Sequence, residues 1–296
     1  MKTLPAWAFG LIVVFSCSTT PGAERAPRTE QDRTTSSRNE NRGRPSPNGS
    51  RAGRRSVSAS AELRRTAVRE LPEMRSFLTK TSDRFLVDLD VVRIGHPYMG
   101  RNSNRPHTGG HVYFKTPAKP DPRKPSTYPA IYAVVDGFVS RIDYSFKLRE
   151  MYEPALRKRV ANYRYGVTLA IAQKEGAAVH FHYSIEPFID PEDEQFYDRF
   201  LLVKPGQRVK KGDVIARMYI PPNQKLAQKS HVHFNLMNTK TRRFMAPVIF
   251  SEKIVERFRV TWGRFGMDGK TTLPACMGYQ LAPDENPFGM GSKKTR

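Results

Sequence analysis

The spacing of apolar positions changes several times along the chain, and each change marks an element. Leu63, Ala67, Leu71, Met74 and Leu78 recur at helical spacing, which predicts a helix over 61–78, broken or restarted at Pro72. Phe85, Val87, Leu89 and Val91 then alternate with polar or smaller residues, as in a half-buried strand. Further strands are predicted at Ala130–Val135, Phe138–Tyr144, Val167–Gln173, Ala178–Tyr183, Val214–Tyr219 and His231–Met237, with Asp136-Gly137 as a hairpin turn joining two of them. Residues Leu148–Ala161 read as a basic helical insertion, Asp190–Asp198 as an acidic surface loop, and Ile254, Val255 and Phe258 as the apolar face of a short helix. The expected class is mainly β, an antiparallel sandwich or partly open barrel, with an N-terminal helix and a helical insertion.

The ends of the chain follow a different pattern. Residues 1–17 have the form of an export signal: Lys2 is followed by an apolar stretch from Pro5 to Phe15, about the length of a signal core and too short to span a bilayer. Val14-Phe15-Ser16-Cys17 resembles a bacterial lipobox, in which the cysteine becomes the lipid-modified first residue. Phe15 is bulkier than that motif prefers, and cleavage to a soluble secreted protein is the alternative. Ser18 after Cys17 suits outer-membrane sorting if the cell is Gram-negative. From 18 to 60 the chain is Arg, Ser, Thr, Asn, Gly and Pro with almost no large apolar residue, the composition of a disordered tether. The segment 61–84 is then a leader helix and linker, and 251–296 a C-terminal extension.

Charge narrows the partners. The formal net charge is +22, and 23 prolines accompany an apolar content of 38%. Such a surface favours anionic partners such as cell-wall polymer, acidic lipid or nucleic acid. No nucleic-acid-binding signature accompanies the charge, so nucleic acid is not expected. A basic tether beside a lipid anchor on Cys17 fits attachment to an anionic envelope surface; the arginines would equally keep a linker soluble. With Cys17 acylated or removed, Cys276 is a lone thiol with no internal disulfide partner, and no chemistry is assigned to it.

The candidate chemistry lies in the histidines. The chain has seven, and four of them fall in His107-Thr-Gly-Gly-His111 and His231-Val-His233. His180 and His182 form a third pair. Imidazole is the commonest protein ligand of zinc, and catalytic zinc takes three protein ligands. Gly109 and Gly110 argue against a helix between His107 and His111 and for a loop that can close around a metal. Strand alternation puts His231 and His233 on one face, and likewise His180 and His182. A zinc hydrolase is the reading these pairs support. A histidine pair on a strand is, taken alone, more often packing than ligation.

The order and spacing of these pieces resemble the LytM/lysostaphin-type zinc endopeptidases of peptidoglycan. That family carries H-x-G-x-D, a strand ending in H-L, and a terminal H-x-H-F. The corresponding stretches here are His107-Thr-Gly-Gly-His111, His182-Tyr183-Ser184 and His231-Val-His233-Phe234. Tyr132–Val139 and Val203–Ala216 fit the family's supporting strands. The resemblance covers roughly residues 85–250 and implies a duplicated β motif, His107 and His233 as Zn2+ ligands, and His182 and His231 as the catalytic pair that handles protons and stabilises the oxyanion. No H-E-x-x-H glutamate is present to act as base. At position 111 the family has aspartate. His111 keeps a three-ligand set possible, removes one negative charge beside the metal and puts full activity in question. His180 is read as a flanking residue and His96 as structural.

The implied activity is an exported zinc metalloendopeptidase that cleaves peptide bonds in peptidoglycan, with zinc-activated water as nucleophile. The alternative is a non-catalytic LytM-like protein that binds wall or regulates another hydrolase. A cupin-like metal protein, suggested by His231-Val-His233, lacks the glutamate that motif needs within Asn235–Lys240.

Overall fold

The computed structural model describes residues 54–96, 109–154, 157–189, 191, 193, 195–241, 243–245 and 249–262. The export signal, Cys17, Cys276, His107 and most of the tether lie outside them. A short strand β1 (Arg54–Ser58) precedes helix α1 (Ala61–Glu70). Ser60 caps α1 by accepting a hydrogen bond from the Leu63 amide at 3.2 Å. Leu71 is extended, as a residue before proline must be, and after Pro72 the helical period resumes as a 3-10 turn over Met74–Leu78.

The remaining strands are β2 (Val92–His96), β3 (Gly110–Phe114), β4 (Ala130–Tyr132), β5 (Gly137–Glu153), β6 (Lys158–Lys174), β7 (Ala177–Glu186), β8 (Arg208–Val209), β9 (Val214–Arg217), β10 (His231–Asn238) and β11 (Arg243–Met245). Two helices complete the set, α2 (Gln224–Ala227) and α3 (Glu252–Arg259). Nine strands form one sheet in the order β1-β5-β6-β7-β10-β3-β2; β11 pairs with β10 and β8 with β5, while β4 and β9 form a separate ribbon. Every named pair is antiparallel. Among the described residues no helix is long and apolar enough to cross a membrane.

The two faces of the sheet divide by alternation. One face carries Val112, Phe114, Tyr165, Val167, Leu169, Phe181, Tyr183, Ile185, Val232, Phe234 and Leu236, all buried. Phe85, Phe250 and Phe258 close on it, with ring centroids 4.6–5.7 Å from one another or from Phe234 for the tightest contacts. This apolar layer is the core. The opposite face takes the alternate positions, and there the histidines lie. At one end of that face α1 lays Ala67 and Leu71 on Phe138, Ala170 and Ala178.

Four sequence expectations change. The described part of Leu148–Ala161 is not helical: Leu148–Glu153 and Lys158–Ala161 are the distal arms of the long, paired strands β5 and β6. Glu153 and Lys158 are the last register partners of the two arms, and beyond them the Arg157 amide, at φ 50°, donates to the Pro154 carbonyl at 3.3 Å. Helical spacing in that stretch yields to cross-strand pairing. Phe85, Leu86 and Val87 are buried in irregular chain, not in a strand; β2 begins only at Val92. Asp136-Gly137 does not join paired strands, because β4 pairs with β9 while β5 pairs with β1, β6 and β8. The stretch assigned to tether enters the sheet at its end: β1 pairs with β5. The helix at Ile254–Phe258 is present as α3.

Candidate functional site

The sheet register assembles the histidines. On β10 and β3, His233 pairs directly with His111 and His231 with Tyr113; on β2, His96 pairs with His111. Directly opposed residues share a face, so His96, His111, Tyr113, His231 and His233 form one aromatic patch. The rings of His111 and His233 lie 4.6 Å apart and nearly parallel at 9°, those of His111 and His231 4.8 Å apart, and those of His96 and His111 5.5 Å apart. His96, expected from sequence to be structural, borders the patch. Its place depends on β2–β3 pairing, which no local pattern reveals.

Glycine brings the loop to the patch. A Cβ on Gly109 would lie 2.1 Å from Nε2 of His233 and 2.5 Å from the Phe234 carbonyl oxygen. The loop backbone at Gly109 therefore passes in contact with the His233 imidazole; His107 lies outside the described residues. His111 and His233 place two imidazoles, a donor type zinc takes, side by side. Among the described residues, no three His, Cys, Asp or Glu side chains form a metal-holding group.

The other two predicted site residues flank His233. On β7, Glu186 faces His231, Ser184 faces His233, and His182 faces Asn235. His182 is thus a diagonal neighbour of His233, roughly 7–8 Å away in such a ladder, on the side opposite His231. The Nδ1 of His231 lies 2.8 Å from the Lys229 carbonyl oxygen, so Nδ1 donates and Nε2 faces Glu186 Oε2 at 3.6 Å. His180 is on the same face but two residues farther along β7, under α1 rather than in the patch.

His182 is held from both ring nitrogens. Arg164 Nη1 donates to its Nε2 at 2.7 Å, since a guanidinium cannot accept, and Nδ1 must then carry the proton toward Thr168 Oγ1 at 2.9 Å. Burial first, and then Arg164 and Arg141, hold its pKa well below the usual histidine value. Arg164 is anchored in turn by Asp143 Oδ2 at 3.1 Å, by Ser184 Oγ at 3.1 Å and by packing 4.5 Å over the Phe146 ring. Burial lowers its own pKa, with Asp143 and Glu186 opposing. Asp143 is buried and also accepts from Ser56 at 2.7 Å and Arg141 at 2.6 Å.

Arg164, Asp143 and Glu186, which hold or face the histidines, are not among the residues the sequence alone singles out. A signal existed in the alternation of Arg164, Gly166 and Thr168 against Tyr165 and Val167, which places a charged residue on a strand inside the sheet. Comparison with protein-family models and with curated proteins finds no match to this chain.

Proposed function

We propose that this chain is a zinc metalloendopeptidase of the LytM/lysostaphin type, exported to the cell envelope and acting on peptidoglycan, with a lipid anchor on Cys17. One observation carries the reading: His111 and His233 are cross-strand partners with ring centroids 4.6 Å apart, and His231 and His182 flank them on the same face. His107, His111 and His233 would hold Zn2+, which supplies Lewis acidity toward a scissile carbonyl and toward water. His231, fixed by the Lys229 carbonyl, is positioned to move protons. His182, with Arg164 on Nε2, is neutral and serves to orient its surroundings rather than to take a proton.

That last feature also favours a second reading, a wall-binding protein without catalysis, because one of the two expected proton-handling histidines is committed to a guanidinium. Metal analysis of the full chain, paired with digestion of purified peptidoglycan, separates them. The hydrolase reading expects one zinc per chain and released peptide fragments. It further expects His111→Ala to lose zinc and His111→Asp to recover it, with the activity profile moved to higher pH by the added negative charge. Zinc and wall binding without released fragments would leave the binding protein; no zinc in a folded, zinc-supplied protein would sink both the metal site and the hydrolysis.

A further inference from the structure

Between α1 and the His180 end of the sheet lies a cleft of about 570 Å³, in the size range of small-molecule sites. It is lined on the α1 side by Arg64, Arg65 and Arg69, all at exposed positions, and by Val68, and on the sheet side by His180 and Phe138. No carboxylate lines it. Glu70, the nearest acid in sequence to Arg69, is turned to Arg208 instead. Among the described residues, no ion pair engages Arg64, Arg65 or Arg69, and the His180 ring has no hydrogen-bond partner.

We propose that this cleft is a binding site for an oxyanion-bearing ligand, its carboxylate or phosphate group held by Arg64, Arg65 and Arg69 and its apolar part against Val68 and Phe138. Arg65 and Arg69 are one helical turn apart, a spacing at which like charges repel and lower helix stability. A bound anion converts that repulsion into charge-assisted hydrogen bonds, for which the planar guanidinium is suited to both carboxylate and phosphate. His180, largely buried and with its pKa held down to about 4 by burial and by Arg64, is neutral at neutral pH. It can therefore offer the ligand a hydrogen bond without adding charge. The site is separate from the patch around His111 and His233 and does not depend on a metal being bound there.

The test uses the full chain in about 0.15 M salt, where surface charges are screened beyond about 8 Å. Inorganic pyrophosphate and citrate serve as soluble probes, and vesicles containing phosphatidylglycerol as a membrane probe. Binding is followed by calorimetry and by the His180 imidazole resonances. Saturable movement of those resonances by a soluble anion is expected, pyrophosphate or citrate showing whether phosphate or carboxylate is preferred. R64Q/R65Q/R69Q should weaken it about ten-fold or more. The charge-matched control K119Q/R123Q/K124Q, on another exposed segment, should leave it unchanged. An equal loss in both triple variants would reduce the effect to net charge and overturn the site. Response to vesicles alone, or no movement of His180 at saturation, would overturn it as well. R65Q and H180Q, checked for unchanged melting, keep the test decisive if the triple variant unfolds.

Discussion

Gly109 is the residue on which the patch turns, since nothing larger fits between the loop and His233. With a Cβ due 2.1 Å from Nε2 of His233, Gly109→Ala should push that ring off His111 at a cost of about 1–3 kcal/mol. On the proposed zinc site, metal retention should fall more steeply than the melting temperature; parallel equilibrium dialysis and thermal unfolding would check this. Asp143 is a residue-scale test of a different kind. It lies buried with two arginines and Ser56 on its oxygens. Asp143→Asn leaves the Arg164 guanidinium in place without its counter-charge, and breaking a buried pair on one side costs about 3 kcal/mol or more. Urea unfolding of the variant should show that loss. A change below about 1 kcal/mol would mean solvent already screens the pair.

Elements decide which of these residues meet. The β5–β6 hairpin supplies Asp143 from one arm and Arg164 from the other, and its far end carries Arg157 in the left-handed region at φ 50°. An L side chain there is disfavoured, and glycine is not. Arg157→Gly should therefore stabilise the protein by about 0.5–1 kcal/mol, a gain visible as a higher denaturant midpoint at unchanged slope. At the other end of the same strands α1 covers Phe138, Ala170 and Ala178. The helix thus lies across the cleft from His180, while in the patch His111 and His231 are buried by other elements.

At the scale of the whole molecule, titration couples these histidines to folding. His180 is held down to about 4 against an ordinary 6.5, by burial first and Arg64 second, and His182 is also held well below the ordinary value by burial, then Arg164 and Arg141. The folded chain thus binds fewer protons than the unfolded chain between the two values. Stability is full above pH 6.5 and falls as pH drops toward 4. His180 alone corresponds to a loss on the order of 3 kcal/mol across that window. Denaturant unfolding at pH 7, 6 and 5 should show a declining stability for the native chain and a shallower decline for His180→Leu. An unchanged slope in that variant would place the pH dependence elsewhere.

Much of the secondary structure was legible because burial on one face imposes a short period. The strands near Phe138, Val167, Ala178, Val214 and His231 and the helix at Ile254 follow from alternation or helical spacing alone. The pairing of His231 with His233 on one face follows from the same rule. The helical reading of Leu148–Ala161 fails because helical spacing of apolar groups is also compatible with paired strands, where cross-strand partners decide. Phe85–Val87 misled because buried chain need not be a strand. What the sequence by itself determined was the mainly β class and the histidine-rich faces of individual strands. Only the tertiary structure decided that His96 joins His111, that Arg164 holds His182, and that α1 faces His180 across a cleft, because each depends on strand order and register between segments far apart in the chain.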